Sequence, residues 1–297
     1  MRSLGRQLLT TASRLPDKVA VEDGEIQLTY SELATRACRF ASFLDERGLG
    51  GGSRVLLCIE NSIEYVVALY GCWVAGAVAC PVNAQARPRE ILQVLEYAGA
   101  GLVAADANNR QLRPIMSELV VPVLLIPRGR AAVPAEMLSW EAVDECSPAE
   151  HMSGDSDAGA MLLYTSGTTG APKGILLTHA NLLANNRSII EYLELSESDR
   201  VLAVLPFHYS YGNSVLHTHL AVGATVVLGP SMAYPQEVIN ALRAKQITGF
   251  SGVPSTFVMF TQKTDWADAP GALRYVTQAG GAMGVELTRQ LMAMLGA

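Results

Sequence analysis

The chain carries little charge and few cysteines, and each shortage excludes something. Only 17% of its 297 residues are Asp, Glu, Lys or Arg, the net charge is −6 at pH 7, and no block of Lys and Arg appears. A nucleic acid or an anionic membrane surface as partner requires a basic face, so a small-molecule substrate is expected instead. No stretch reaches the ~20 uninterrupted apolar residues of a membrane span. The five cysteines (Cys38, Cys58, Cys72, Cys80, Cys146) are odd in number, scattered and mostly set in apolar runs. That pattern fits reduced, buried thiols rather than disulfides or a zinc site, and with it a cytoplasmic address. The first fourteen residues hold three arginines and no acid, as a transit peptide would, but lack the apolar core of a secretory signal; a first helix ending near Pro16 is expected. Neither an internal repeat nor a low-complexity tract is present.

What is there is a chain of 49% hydrophobic residues, long enough to bury a large core. Apolar runs rich in β-branched residues alternate with helical periodicity, which predicts an α/β fold with largely parallel sheets flanked by helices. Expected strands cover residues 54–59, 77–82, 101–105, 122–126, 160–165, 201–205, 224–228, 249–252 and 275–279. Helices are expected over 62–75 and over 178–193 with Thr178 as N-cap, and over 235–246 and 254–263, each opening with proline. Residues 128–157, with seven acidic side chains, read as an irregular excursion.

The most specific feature is the run from Tyr164 to Gly174. Glycines at 167, 170 and 174 free the backbone so that successive N–H groups can converge on an anion, and the hydroxyls of Thr165, Ser166, Thr168 and Thr169 with the ammonium of Lys173 add donors. The apolar run before it, Ala160 to Tyr164, would deliver the loop to the carboxyl edge of a sheet, where open α/β sheets bind ligands. A plain Ser/Thr/Gly connector rarely places Lys between Pro and Gly after such a strand. The loop is not that of the P-loop NTPases: counted from Gly167, the second glycine falls on Pro172, and Gly174 stands where a magnesium-binding Ser or Thr belongs. That spacing also argues against a kinase.

With the residues that follow, Ile175 to Leu182, this run resembles the signature of the adenylate-forming (AMP-binding) enzymes, which include acyl-CoA synthetases, acyl-carrier-protein ligases and peptide-synthetase adenylation domains. Leu28 to Leu33, Leu205 to Gly212, Ser251 to Ser255 and Ala279 to Ala282 agree in order. The resemblance implies attack of a carboxylate on the α-phosphate of ATP, with Mg2+, to give acyl-AMP, and then transfer to coenzyme A or a carrier-protein thiol. It places Thr165, Ser166, Gly167, Thr168, Thr169, Gly170 and Lys173 at the β and γ phosphates, and Gly280, Gly281 and Ala282 along the adenine and acyl pocket. Gly252 and Val253 would face the acyl group. A gate aromatic and a histidine belong in the stretch Phe207 to Gly212. Counting back from Gly212 puts them on His208 and Tyr209, whereas counting forward from Pro206 keeps a histidine at His208. Both frames stay open. Tyr211 and Gly212 complete the stretch, with core packing the rival role for Tyr211 and a backbone-satisfied packing role the rival for His208.

Amino-acid-activating relatives usually place Asp in this stretch to pair with an ammonium, yet no acid lies between Arg200 and Gly229, so a fatty or aryl acid is favoured. His217 and His219 lack a third ligand at useful spacing and read as structural, and no metal ligand is assigned. The family's Thr-Glu motif, its ribose-binding aspartate, its hinge and its C-terminal lid with the adenylate-contacting lysine find no match. Residues 1–297 are therefore expected to be an incomplete N-terminal AMP-binding domain, one continuous body of two intertwined subdomains without the lid. The rival expectation is a truncated, non-catalytic nucleotide- or acyl-binding module.

Overall fold

The computed structural model describes residues 3–150, 154–165, 173–264 and 271–295. Strands in chain order are β1 (Val19–Asp23), β2 (Ile26–Thr29), β3 (Arg54–Cys58), β4 (Val78–Pro81), β5 (Leu102–Asp106), β6 (Val123–Ile126), β7 (Leu138–Ser139), β8 (Gly159–Thr165), β9 (Lys173–Thr178), β10 (Arg200–Ala203), β11 (Thr225–Leu228), β12 (Gly249–Gly252) and β13 (Tyr275–Gln278). The chain divides into two compact units, each assembled from two segments: residues 1–17 with 29–185, and residues 18–28 with 186–297.

The first unit is built on a seven-stranded sheet in the order β7-β6-β5-β3-β4-β8-β9. All neighbours are parallel except β8 and β9, which are antiparallel. Its inner strands β4, β5 and β6 are buried throughout, as strands covered by helices on both faces require, while the edge strand β9 is largely exposed. Leu56, Val103 and Leu125 point into one buried cluster with Ile91, Val94 and Leu95 of the helix Pro88–Ala98. The helix Ile63–Ala75 is buried nearly all round, with Tyr65, Leu69 and Trp73 inaccessible. Its start is held by Ser62, whose hydroxyl accepts the Tyr65 N–H at 3.2 Å, and its end by Gly76 in the left-handed region. The helix Tyr30–Asp45 opens with a reciprocal cap: Thr29 accepts the Glu32 N–H at 3.2 Å while Glu32 accepts the Thr29 N–H at 2.8 Å.

The second unit carries a six-stranded sheet in the order β13-β12-β10-β11-β1-β2, parallel from β13 to β1. Phe250, Phe257 and Phe260 pack as mutually tilted rings with Val238, Ile239 and Leu242 of the helix Pro235–Ala244. Buried charge ties its segments together. Glu22 on β1 accepts from Arg200 at 2.8 Å and Lys245 at 2.6 Å, and these partners hold its carboxyl below its ordinary range despite the burial. Asp199 accepts from Arg274 at 2.9 Å and from the Thr248 hydroxyl at 2.8 Å.

Every strand and helix expected from the sequence is present within a residue or two at its ends, except that the helices at 62 and 178 start one residue later because Ser62 and Thr178 serve as caps. Four strands had no counterpart in the sequence expectation: β1, β2, β7 and β9. β9 is the consequential one. The run Ile175-Leu176-Leu177 returns antiparallel along β8, so the glycine-rich loop joins two strands of a hairpin. Residues 128–157 are not wholly irregular, since β7 and the short helix Glu141–Asp144 lie there. All five cysteines are free thiols and four are buried.

Candidate functional site

The hairpin around the glycine-rich run is anchored from below. The Trp73 indole N–H donates to the Ala160 carbonyl at 2.8 Å, which pins the start of β8 to the buried helix. Register then pairs Leu163 with Ile175, Tyr164 with Gly174 and Thr165 with Lys173, so the ladder closes at the mouth of the loop. Ser166, Gly167, Thr168, Thr169 and Gly170 lie outside the described residues. Lys173, the first residue of β9, is solvent-exposed, and among the described residues its ammonium enters no ion pair. An uncommitted cation fixed at the base of a Ser/Thr/Gly loop suits a polyphosphate.

Beyond β9 the chain turns at Thr178 into the helix His179–Leu193. Asn181 accepts the Thr178 N–H at 3.1 Å and the Thr178 hydroxyl accepts the Asn181 N–H at 3.2 Å. His179, 1% exposed, accepts the Leu4 N–H on Nδ1 at 3.3 Å and stands edge-on to Trp73. Burial pushes its pKa down to about 4, so it is neutral near pH 7 and holds the hairpin's exit to the first helix.

In the second unit the expected site residues cluster at the carboxyl ends of β10, β12 and β13. Phe207 is buried, while His208 is half-buried and Tyr209 is 59% exposed, their rings 4.2 Å apart at 48°. Burial lowers the His208 pKa to about 4, so at neutral pH this imidazole acts as a neutral hydrogen-bonding group. Its Nε2 is buried, and the described residues offer it no partner. The stretch therefore presents a neutral histidine and a tyrosine side by side, and the two counting frames stay open.

Gly212 is where a side chain is forbidden: a Cβ there would lie 2.3 Å from the Pro206 carbonyl oxygen and 2.9 Å from that of Leu205. This contact lets the helix Ser210–Val222 start directly against the end of β10. Beneath it, Leu202, Phe207, Gly212, Val215 and Ser251 line a narrow crevice too tight for a water molecule. Tyr211 does more than pack. Its hydroxyl lies 2.7 Å from Thr277 Oγ1, which lies 2.8 Å from Ser251 Oγ, and burial raises the Tyr211 pKa. The three hydroxyls form one hydrogen-bonded cluster at the carboxyl ends of β12 and β13, in which each can donate or accept. Thr277 was not singled out from sequence; only the register that sets Ser251 opposite Thr277 brings it to Tyr211.

Gly252 ends β12 with the Phe257 ring 3.0 Å from where its Cβ would be, and Val253 caps the next helix. Gly280 takes φ +86°, a left-handed conformation that turns the chain out of β13, and Gly281 and Ala282 follow it into solvent. The Gly281 carbonyl accepts from the Gln278 amide at 3.3 Å. His217 and His219 belong to the core. His219 donates from Nδ1 to the Val215 carbonyl at 2.7 Å and accepts on Nε2 from the Tyr275 hydroxyl, and burial pushes its pKa to about 4.

These sheets and their loops have the architecture of the N-terminal domain of adenylate-forming enzymes. The inhibitor-bound N-terminal domain of FACL13 from Mycobacterium tuberculosis superposes with a TM-score of 0.86 at 24% identity, covering 99% of this chain and 73% of that one. ATP-bound MatB from Rhodopseudomonas palustris superposes with a TM-score of 0.88 at 25% identity, covering 100% and 58%. The chain belongs to the AMP-binding enzyme family, whose model matches residues 8–297. In sequence it is 30% identical over 283 residues to a feruloyl-CoA synthase of Amycolatopsis, covering 95% of this chain and 55% of the relative. It is 29% identical over 300 residues to a sulfoacetate–CoA ligase of Cupriavidus necator, covering 99% and 58%. A human mitochondrial malonate–CoA ligase, ACSF3, is 31% identical over 273 residues, covering 87% and 45%. The chain thus spans about half the length of the curated relatives it matches.

Proposed function

We propose that this chain serves an ATP-dependent acid–thiol ligase, which activates a carboxylic acid as acyl-AMP and passes the acyl group to coenzyme A or a carrier-protein thiol. The observation that carries the reading is the hairpin β8–β9, with an exposed Lys173 that pairs with none of the described residues next to a Ser/Thr/Gly run, in a chain matched to the AMP-binding family along nearly its whole length.

Both reactants are anions, so the barrier is lowered by placement and charge neutralisation rather than by a base; the carboxylate is already ionised at neutral pH. Lys173 and the donors of residues 165–170 hold the β and γ phosphates, which leave as pyrophosphate. Mg2+ entering with the nucleotide would supply further charge neutralisation for the leaving pyrophosphate, and no residue of this chain is assigned to hold it. Gly280, Gly281 and Ala282 offer adenine a flat surface with no side chain larger than a methyl group. His208, Tyr209, Tyr211, Gly212, Gly252 and Val253 receive the acid, and the hydroxyl cluster of Tyr211, Thr277 and Ser251 lies on the same stretch as a polar contact for it. The second unit's acyl-receiving stretch contains no carboxylate, which favours an aryl or fatty acid over an amino acid. Named relatives act on feruloyl, sulfoacetate and malonate groups.

The test is carboxylate-dependent exchange of labelled pyrophosphate into ATP with fatty, aryl and amino acids, on this chain and on any longer protein that contains it. Exchange with an aryl or fatty acid, lost in Lys173→Ala, is expected. Exchange with amino acids alone overturns the substrate assignment. Binding of ATP without exchange in the longer protein supports a non-catalytic nucleotide- or acyl-binding module instead.

A further inference from the structure

The stretches of the second unit assigned above to the acid are uncharged. Residues 205–223, 249–256 and 275–282 contain no Asp, Glu, Lys or Arg. Arg274, immediately before β13, is committed elsewhere: it donates to both oxygens of Asp199, at 3.2 and 2.9 Å, and to the carbonyls of Leu193 and Glu194, at 3.0 and 3.1 Å. Burial keeps the histidines of these stretches neutral near pH 7, His208 and His219 falling to about 4 and His217 to about 3. A second carboxylate on a bound acid would find no cation in these stretches, and an ammonium would find no anion. Burying either without a counter-charge is costly.

What these stretches do offer is the cluster of three hydroxyls. The parallel register of β12 and β13 sets Ser251 opposite Thr277, and Tyr211 reaches them from the first turn of the helix Ser210–Val222, with 2.7 Å from its hydroxyl to Thr277 Oγ1 and 2.8 Å from there to Ser251 Oγ. Two strands and a helix start thus fix three oxygens without help from a ligand. Ser251 is buried, at 4% exposure, while Tyr211 and Thr277 are partly exposed, so the cluster is rooted in the core and extends into the layer above it. Among the described residues these three side chains bond only to one another.

A hydroxyl both donates and accepts, and its hydrogen swings without moving a heavy atom, so the cluster can give a hydrogen bond to a ligand oxygen or take one from a ligand hydroxyl. It cannot neutralise a charge. Its complement is a neutral group with both capacities, an alcohol or a phenol, and a phenol with its ordinary pKa of about 10 is neutral at pH 7. Because the three oxygens are fixed, a ligand whose own hydroxyl is fixed fits them best. A ring holds a hydroxyl at a set distance from the carboxylate, whereas an alkyl chain loses rotamer freedom in placing one. The adjacent rings of His208 and Tyr209, 4.2 Å apart, give an aromatic ligand further surface to pack on.

We infer that the acid activated here is a hydroxyaryl acid, its ring hydroxyl held by the cluster of Tyr211, Thr277 and Ser251. The inference rests on the acid-activating reading and narrows it. Calorimetric titration and pyrophosphate exchange test it, on this chain and on any longer protein that contains it, with para-hydroxycinnamate and para-hydroxybenzoate, each beside the same acid without the hydroxyl, and with octanoate and adipate. A preference of about tenfold or more for the hydroxylated acid is expected in at least one pair, with octanoate and adipate weaker than that acid, because a site built to hydrogen-bond a hydroxyl rejects the analogue that lacks it. In Thr277→Val and in Tyr211→Phe that preference should fall about fivefold or more. It is read as a ratio of two acids on one variant, so a general loss of activity or stability cancels, and hydroxyls that only tied the helix to the sheet would leave it unmoved. Equal use of the paired acids, a preference for octanoate or adipate, or a ratio indifferent to both substitutions overturns the inference and leaves acid activation standing. Exchange with no acid in the longer protein overturns the acid-activating reading itself, and the inference with it. If a variant fails to fold, the contrast between the paired acids on the unsubstituted protein decides.

Discussion

Acid should loosen the first unit through one side chain, His179. Its imidazole is 1% exposed, and Nδ1 accepts the Leu4 N–H, so the neutral tautomer is what the fold requires. Burial lowers its folded pKa to about 4 from an unfolded value of 6.5. The sign follows from proton counting: between these values the unfolded chain binds the proton that the folded chain refuses, so stability falls as pH drops below 6.5 and levels off near 4. Between pH 7 and pH 5 this single group costs about 2 kcal/mol. Carboxylates do not imitate the effect in that window. Glu22 and Asp199, with lowered pKa values, lose their contribution only below the ordinary carboxylate range, and Asp45 and Asp106, raised by burial, act in the opposite direction. Urea unfolding followed by tryptophan fluorescence is the assay, since Trp73 stands 6.4 Å from the His179 ring and Trp140 lies in the same unit. In His179→Asn, whose amide oxygen can accept the same N–H, the slope from pH 7 to pH 5 should flatten by about 2 kcal/mol. An unchanged slope in that variant would refute the reasoning.

Further expectations rest on other contacts. Gly212→Ala forces a Cβ onto the Pro206 carbonyl, a backbone clash no rotamer relieves, and should cost the second unit about 3 kcal/mol in chemical denaturation. Thr29→Ala removes one half of a reciprocal helix cap and should cost about 1 kcal/mol by the same measurement on the first unit. Asp106→Ala strips Arg128 of one partner and leaves the Glu60 N–H without its acceptor; a loss of about 3 kcal/mol is expected, and a neutral result would mean that the loops at the carboxyl edge are held by something else. Lys173→Ala should abolish pyrophosphate exchange in the active protein while moving the unfolding midpoint little, because an exposed strand-end lysine packs against almost nothing.

The sequence on its own determined the class of fold and the family to which the chain belongs. Alternating apolar runs and helical periods placed nine strands, because a parallel strand buried on both faces must be apolar throughout. The glycine, hydroxyl and lysine pattern of residues 164–174 carries the proposal of a phosphate loop, because few other purposes demand that composition after a strand. Tertiary structure decided what depends on partners remote in the chain. Ile175 to Leu177 were assigned to no element from the sequence and form an antiparallel strand only because β8 offers a ladder. β1 lies beside β11 through pairing of Val21 with Val226, a contact that local pattern cannot announce. For Tyr211 the sequence left packing and function as rivals, and only the register of β12 and β13 brings Thr277 and Ser251 to its hydroxyl.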